Sequence, residues 1–466
     1  MNAESRSNPL DAADTIVAQA SVAGRGALAI IRLSGPNAHA IAAAAVESWP
    51  TVARTAHLTA LRDRSGTQLD QAIVIRYDSP RSFTGEDAVE IISHGGLVVP
   101  TTVVGALVGF GARVARAGEF SRRAVLNGKL DILQAEATGD LIDASSRAAQ
   151  RTALRQLDGG LSRRILALRD ELVGLEALIA YDIDFPEEDD GPIAPARIES
   201  AAATVVSALE NLLSTARVGV LIREGALVVL AGAPNVGKSS LFNALLGENR
   251  AIVTAIPGTT RDAIEAVIDT PTVPLRLVDT AGMREASDPV ERIGVEISAS
   301  YVARASVVLA CVDGAESIAA LRGALETKTS APVVVVWTKA DVRPPTNHDV
   351  VSAEEALSAV DGAIVSAETA AGLDILVEKI ARVLAVHDGV DDIDAPILVK
   401  ERHKFAVDTA LGEVRAFQGA WRARILPAPI AAVHLRTAIT VLEDLIGAVD
   451  VEDVLDEVFR RFCVGK

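Results

Sequence analysis

The sequence predicts a multidomain α/β protein: an α+β N-terminal region, then an all-helical region interrupted by an inserted α/β domain. Three observations carry this. Up to Asn127, short β-like runs alternate with Gly-rich turns. From Gly128 to Arg223, breakers are few and apolar residues recur at three and four. From Glu224 to Ala385, continuous apolar runs alternate with helical patterns, and helical texture returns from Pro396. The expected division is 1–127, then 128–223 with 386–466 as two halves of one helical domain, with 224–385 inserted between them. A length of 466 residues suits several domains of roughly 150.

In the first region the strand-like runs are Asp14–Ala20, Ala27–Leu33, Gln71–Tyr77 and Ala88–Ser93. Ser65-Gly66 signals the turn before the third. In the second, Leu161, Ile165, Leu168, Leu172, Leu175 and Ile179 mark one face of a long helix that Pro186 stops. Ala203, Val206, Leu209, Leu212 and Leu213 mark the next. The acidic run Asp182–Asp190 between them reads as a solvated loop. In the third, strands are expected at Ala226–Ala231, Leu275–Asp279, Val307–Asp313, Val333–Thr338 and Ala363–Ser366. Such uninterrupted apolar strands between helices predict a parallel sheet covered on both faces.

Composition narrows the function classes. The net charge of −17 argues against a general nucleic-acid coat protein, which needs excess cations to displace counterions. Cys311 and Cys463 lie far apart and form no disulfide framework, which suits a reducing, cytoplasmic setting. The start MNAESRSNPLDAAD shows no signal peptide. The longest uncharged stretch, Gly95–Ala112, contains five glycines and Pro100, so it reads as buried structure rather than a membrane span. The seven histidines show no metal-binding spacing.

The strongest motif is GAPNVGKS, Gly232–Ser239, which matches G-x-x-x-x-G-K-[ST] between a strand and a helix pattern. Its glycines let backbone N–H groups surround a phosphate at a positive helix end. Lys238 neutralises outer phosphates, and the Ser239 hydroxyl suits Mg²⁺. PGTTRD, Pro257–Asp262, offers Thr260 to Mg²⁺ and the terminal phosphate. In DTAG, Asp279 can hold the metal through water and Gly282 can give its N–H to that phosphate. TKAD ends another strand, and the Asp341 carboxylate can accept two hydrogen bonds from guanine, a donor pair adenine lacks. SAE, Ser366–Glu368, stands where a base-backing loop belongs. This ordered set resembles the TRAFAC class of GTPases with a Ras-like P-loop domain. The expected nucleotide contacts are Asn235, Val236, Gly237, Lys238, Ser239 and Ser240; Thr254, Ala255, Ile256, Pro257, Gly258, Thr259 and Thr260; Asp279, Thr280, Ala281 and Gly282; Thr338, Lys339, Ala340 and Asp341; and Ser366, Ala367 and Glu368. Thr338 stands where this class usually carries Asn, which predicts looser nucleotide binding with guanine specificity kept.

Met283 occupies the place of the water-orienting Gln of Ras-like switches and cannot serve. No arginine finger is fixed by motif. Asn235, with carbonyls of Thr254–Thr259, can hold a monovalent cation that places charge where an arginine finger does. Glu291, in the charged segment after DTAG, is the candidate for orienting water; on spacing alone it reads as part of a solvated helix face.

Asp14–Gly35, SFTGEDAVEIISHGG (Ser82–Gly96), Ala115–Ala137, DLIDASS (Asp140–Ser146) and the terminal FCVGK (Phe462–Lys466) resemble, in order and over nearly the whole chain, the MnmE (TrmE) family of tRNA-modification GTPases. The resemblance implies an N-terminal tetrahydrofolate-binding and dimerisation domain, a helical domain and an inserted GTPase domain. It implies a homodimer acting with the flavoprotein MnmG on the wobble uridine of certain tRNAs, adding an aminomethyl or carboxymethylaminomethyl group at carbon five. The G domains pair across nucleotide when K⁺ is bound. Matched by motif, K⁺ would use Asn235, Thr254, Ile256 and Thr259, and Mg²⁺ would use Ser239 and Thr260. Glu291 matches the family's water-orienting glutamate. A 5-formyl- or methylene-tetrahydrofolate would meet Arg32, Glu90, Lys129 and Lys466, of which the three cations suit its carboxylates. Cys463 is a candidate catalytic thiol, weighed against a small packed residue. Arg147, Arg151 and Arg155 share one helical face and are either a tRNA contact or an ordinary charged surface. The alternative function is a regulatory switch of the ribosome-assembly type without modification chemistry. The folate site separates the two.

Overall fold

A computed structural model of the chain describes residues 14–184, 194–248, 264–279, 301–325, 329–388, 395–423, 428–447 and 465. It contains two compact units, Met1–Gly139 with Glu443–Lys466, and Asp140–Leu442.

The first unit holds β1 (Ile16–Gln19), β2 (Gly24–Ser34), β3 (His57–Arg62), β4 (Gln68–Tyr77), β5 (Ala88–Gly96) and β6 (Arg113–Val114), in the order β3-β4-β5-β2-β1-β6. All neighbours are antiparallel except β1 and β6. Period-two alternation sorts the faces. Val17, Ile31, Leu33, Val74, Val89 and Ile91 pack with α1 (Ala38–Ala44) and α2 (Val99–Gly109) through Ile41, Val103 and Leu107. Ile16 and Ala18, on the other face of β1, pack with Phe120 of α3 (Glu119–Leu126). α4 (Ile132–Asp143) follows. The stretch Gly95–Ala112 thus becomes the end of β5 and α2.

The second unit is built on a sheet of order β12-β11-β10-β7-β9-β8. Its strands are β7 (Ala226–Ala231), β8 (Ile264–Ile268), β9 (Leu275–Asp279), β10 (Val307–Val312), β11 (Val333–Trp337) and β12 (Asp361–Ile364). Helical elements before the sheet are α5 (Arg147–Leu157), α6 (Gly160–Asp184), α7 (Pro195–Ser214) and α8 (Ala216–Glu224). Within and after it come α9 (Lys238–Glu248), α10 (Ala315–Leu325), α11 (Asn347–Leu357), α12 (Leu373–Asp388), α13 (Glu401–Ala423) and α14 (Ala428–Ile446). One sheet face packs on α8, α9 and α12 through Ile222, Phe242 and Ile380. The other packs on α10 and α11 through Leu321 and Leu357. α6, α7 and α13 lie side by side.

The sheet departs from the parallel expectation at one edge, because β8 runs antiparallel to β9. A short connection between consecutive strands allows only a hairpin. The face of α7 also differs in its first half: the buried row is Ile198, Ala202, Val205, Leu209 and Leu212, so Leu209 and Leu212 are buried as expected while Ala203 is exposed. Both rows are apolar in this Ala- and Val-rich helix, so composition did not separate them. α6 buries the predicted row from Leu161 to Ile179. It continues through Asp182 and Asp184, so the acidic run starts inside the helix, and its remainder lies outside the described residues. Among the described residues, Pro195–Glu224 is long and apolar enough to cross a membrane, with mean hydropathy 1.4. It is α7 with α8, and its apolar row is spent on intramolecular packing.

Candidate nucleotide site

The phosphate loop leaves β7, whose six residues are all buried, and enters α9 at Lys238. Its geometry needs small residues. A Cβ on Gly232 would lie 2.7 Å from the Cys311 carbonyl oxygen and 2.9 Å from Val236 Cγ1, inside contact distance. Gly237 takes φ +102° and Asn235 φ +61°, left-handed conformations that Gly and Asn tolerate best. Lys238, itself buried, donates from Nζ to the Gly232 and Ala233 carbonyls at 3.0 and 2.8 Å, so its charge is held over the loop. Ser239 Oγ donates to Asp279 Oδ2 at 2.7 Å. This brings together a hydroxyl and a carboxylate 40 residues apart, a hard-oxygen pair of the kind Mg²⁺ prefers.

Behind the loop lies a cavity of about 340 Å³ lined by residues of four segments. Gly237, Ser240, Leu241 and Ala244 come from the loop and α9, Thr338, Lys339 and Asp341 follow β11, and Ala367 and Glu368 follow β12. Ser366 Oγ donates to Asp341 Oδ1 at 2.6 Å, which fixes the carboxylate's orientation. Thr338 is buried, and its hydroxyl lies 2.5 Å from the Val236 carbonyl and 3.2 Å from that of Val312. Lys339 Nζ donates to the Asn235 carbonyl at 2.6 Å and pairs with Asp313 at 3.2 Å. The segment after β11 is therefore pinned to the phosphate loop at two successive carbonyls. The expectation that Thr338 loosens the site concerned its missing amide; here its hydroxyl serves as a tether. Leu241, Asn243, Ala244 and Val365 also line the cavity and were missed, although Ala244 follows Ser240 by one helical turn. Beside the loop, Cys311 is fully buried, and burial pushes its thiol up to about 12, which makes it unreactive.

In the first unit, Arg32 and Glu90 face each other across β2 and β5 and pair at 2.7 Å. Tyr77 donates to the second Glu90 oxygen at 3.1 Å, and the Arg32 guanidinium lies over the Phe83 and Phe120 rings at 5.1 and 5.8 Å. Arg32 thus has a carboxylate partner of its own; Phe83 and Phe120 lie in the quoted blocks without having been singled out, and Tyr77 joins the cluster from outside them. Lys129 Nζ donates to the Pro80 carbonyl at 3.1 Å and lies near Gly85, on the loop that carries Phe83. Beside β6, Asp14, Glu86, Glu119, Arg113 and Arg123 form a network with contacts from 2.6 to 3.4 Å. Burial raises the Asp14 and Glu119 carboxyls, but it is outweighed, at Asp14 by hydrogen bonds and charge from Arg113 and Arg123, and at Glu119 by hydrogen bonds from Arg113 and the Arg116 backbone N–H with charge from Arg113 and Arg123, so both lie below the usual carboxylate range. On α5, Arg147 pairs with Asp269 at 3.4 Å. Thr254, Ala255, Ile256, Pro257, Gly258, Thr259, Thr260, Thr280, Ala281, Gly282, Glu291, Cys463 and Lys466 lie outside the described residues.

A central, mainly parallel sheet with this phosphate loop and base cavity defines a P-loop protein of the GTPase class. Residues 15–129 match the model of the GTP-binding protein TrmE N-terminus, and residues 132–463 match that of the MnmE helical domain. The tRNA modification GTPase MnmE of Azoarcus sp. (strain BH72) is 40% identical over 97% of this chain and 98% of its own. Those of Dichelobacter nodosus and Laribacter hongkongensis are 39% and 40% identical, each over 97% of this chain and 99% of their own. The G domain of the T. maritima FeoB iron transporter aligns with 34% of this chain at 28% identity and a TM-score of 0.27, too low to bear on the fold. The chain belongs to the MnmE family of tRNA modification GTPases.

Proposed function

We propose that this chain is a cytoplasmic, homodimeric, K⁺-stimulated GTPase that works with the flavoprotein MnmG on the wobble uridine of certain tRNAs. The product carries an aminomethyl or carboxymethylaminomethyl group at carbon five. The observation that carries the GTPase reading is the joint arrangement of Ser239 on Asp279 and Asp341 at the edge of a purine-sized cavity. Lys238 and the loop N–H groups hold phosphates, and Asp341 accepts from the guanine edge. Tethering by Thr338 and Lys339 keeps base and phosphate sites in one register. The hard-oxygen pair fits Mg²⁺, which would be held by Ser239 and Thr260 and would supply charge neutralisation at the β- and γ-phosphates. Asn235, exposed on the loop, fits a K⁺ ligand, alongside Thr254, Ile256 and Thr259; the ion would supply the charge of an arginine finger. Glu291 would orient the attacking water. With one-carbon tetrahydrofolate, the exposed face of Phe83 and the Arg32–Glu90 pair offer stacking and directional hydrogen bonds, while Lys129 and Lys466 offer charge. The folate would supply the carbon that is transferred.

Two measurements test this. GTP turnover is expected to be faster in potassium than in sodium buffer, and Asn235→Ala is expected to remove the difference; equal rates in both buffers would overturn the cation assignment. The chain is expected to bind 5-formyl-tetrahydrofolate, with Arg32→Ala weakening it. No binding, together with an unchanged nucleoside profile in a deletion strain, would favour the regulatory-switch reading.

A further inference from the structure

The hairpin of β8 and β9 has different neighbours at its two ends. At one end Ile264 pairs with Asp279, the residue that receives Ser239 Oγ. At the other, about 14 Å along at 3.4 Å per residue, Ile268 pairs with Leu275 and the turn Asp269–Pro274 adjoins α5 and α8. Asp269 Oδ1 accepts from the Arg147 backbone N–H at 2.9 Å, and Asp269 Oδ2 lies 3.4 Å from Arg147 Nε. Arg147 is the first residue of α5, and the N-cap Ser146 already accepts from Ala149 N at 3.1 Å. Asp269 therefore takes a second N–H of the same helix end and sets its negative charge against the positive end of the helix dipole. Apolar packing repeats the connection independently. Ile268, Val273 and Leu275 share one buried cluster with Ala148 of α5 and with Val218 and Ile222 of α8. The Pro274 carbonyl accepts from Ala226 N at 2.8 Å, just past the end of α8.

We propose that Asp269 is a positioning residue that couples the nucleotide site to α5: the hairpin carries displacement of its Asp279 end to the helix that Asp269 caps. The proposal rests on the GTPase reading above. A strand paired along its length shifts as a unit, and its far end is fastened to α5 by the Asp269 carboxylate and by the apolar cluster that Ile268, Val273 and Leu275 share with Ala148. Nucleotide states that bind the two hairpin positions with different affinity would then bias α5.

The test is amide hydrogen exchange of the full-length chain with GDP and with a non-hydrolysable GTP analogue. In the unsubstituted chain, protection of the α5 amides is expected to differ between the two states. Asp269→Ala should abolish that difference while GTP turnover stays within about twofold, since coupling and local catalysis are separate free energies. Arg147→Pro provides a second cut, because proline at the first helical position keeps the helix but deletes the N–H that Asp269 receives. Asp269→Asn, which retains the acceptor oxygen, should preserve the difference. The proposal is overturned if α5 is equally protected in both states, or if the difference survives both Asp269→Ala and Arg147→Pro. Absence of GTP turnover in the unsubstituted chain would instead sink the parent reading.

Discussion

Thr338 shows how one hydroxyl does a structural task that its sequence position did not announce. Replacing it with Val keeps the shape but leaves the Val236 carbonyl without this donor. An unsatisfied buried polar group costs about 1–3 kcal/mol. We expect Thr338→Val to weaken GDP binding by about tenfold and Thr338→Ser to leave it nearly unchanged, measured by titration with a fluorescent guanine nucleotide. Asp341→Asn should lower GTP affinity by about tenfold or more, because hydrogen bonds to a charged acceptor contribute about 1.5–3 kcal/mol, and should raise affinity for xanthosine triphosphate. Unchanged preference between the two nucleotides would refute the base assignment. The motif residues themselves were legible because phosphate binding demands a fixed local spacing. Their supports were not, because Thr338 and Val236 are 102 residues apart and Asp14 and Arg123 are 109 apart. No short-range pattern encodes such meetings.

Among elements, legibility followed burial pattern. β7, β10 and β11 sit inside the sheet, and their unbroken apolar runs announced them; β9, also inside, stood out despite Arg276. The edge strand β8 carries Glu265, and β3 alternates weakly in HLTALR, so neither stood out. α6 was readable because Leu161, Ile165, Leu168, Leu172, Leu175 and Ile179 are all essentially inaccessible. Ile165→Ala should therefore cost about 2–5 kcal/mol and lower the melting temperature of the second unit. The network joining β6 and α3 predicts a pH response. Asp14 and Glu119 titrate lower when folded than the unfolded values of about 4, so the network stabilises above that range and the contribution is lost as pH falls through the folded values. Acid unfolding of the first unit, followed by circular dichroism below about pH 4.5, should be less steep in Glu119→Gln.

At the scale of the whole molecule, a net charge of −17 bears on how tRNA is held. We expect this chain alone to bind tRNA with a shallow salt dependence and the proposed assembly with MnmG to show a steep one, because each neutralised phosphate adds nearly one unit of slope. A steep slope for the chain alone would contradict this. One further consequence comes from Gly465, with φ +101°, whose Cα lies so close to β1 that a side-chain carbon would strike the Gln19 carbonyl. Gly465 thus adjoins β1, in which Ala18 lies opposite Arg32. That strand must wait for more than four hundred further residues to be translated before it meets this neighbour. The first unit thus gains this neighbour late in synthesis, and a side chain introduced at position 465 would collide with it.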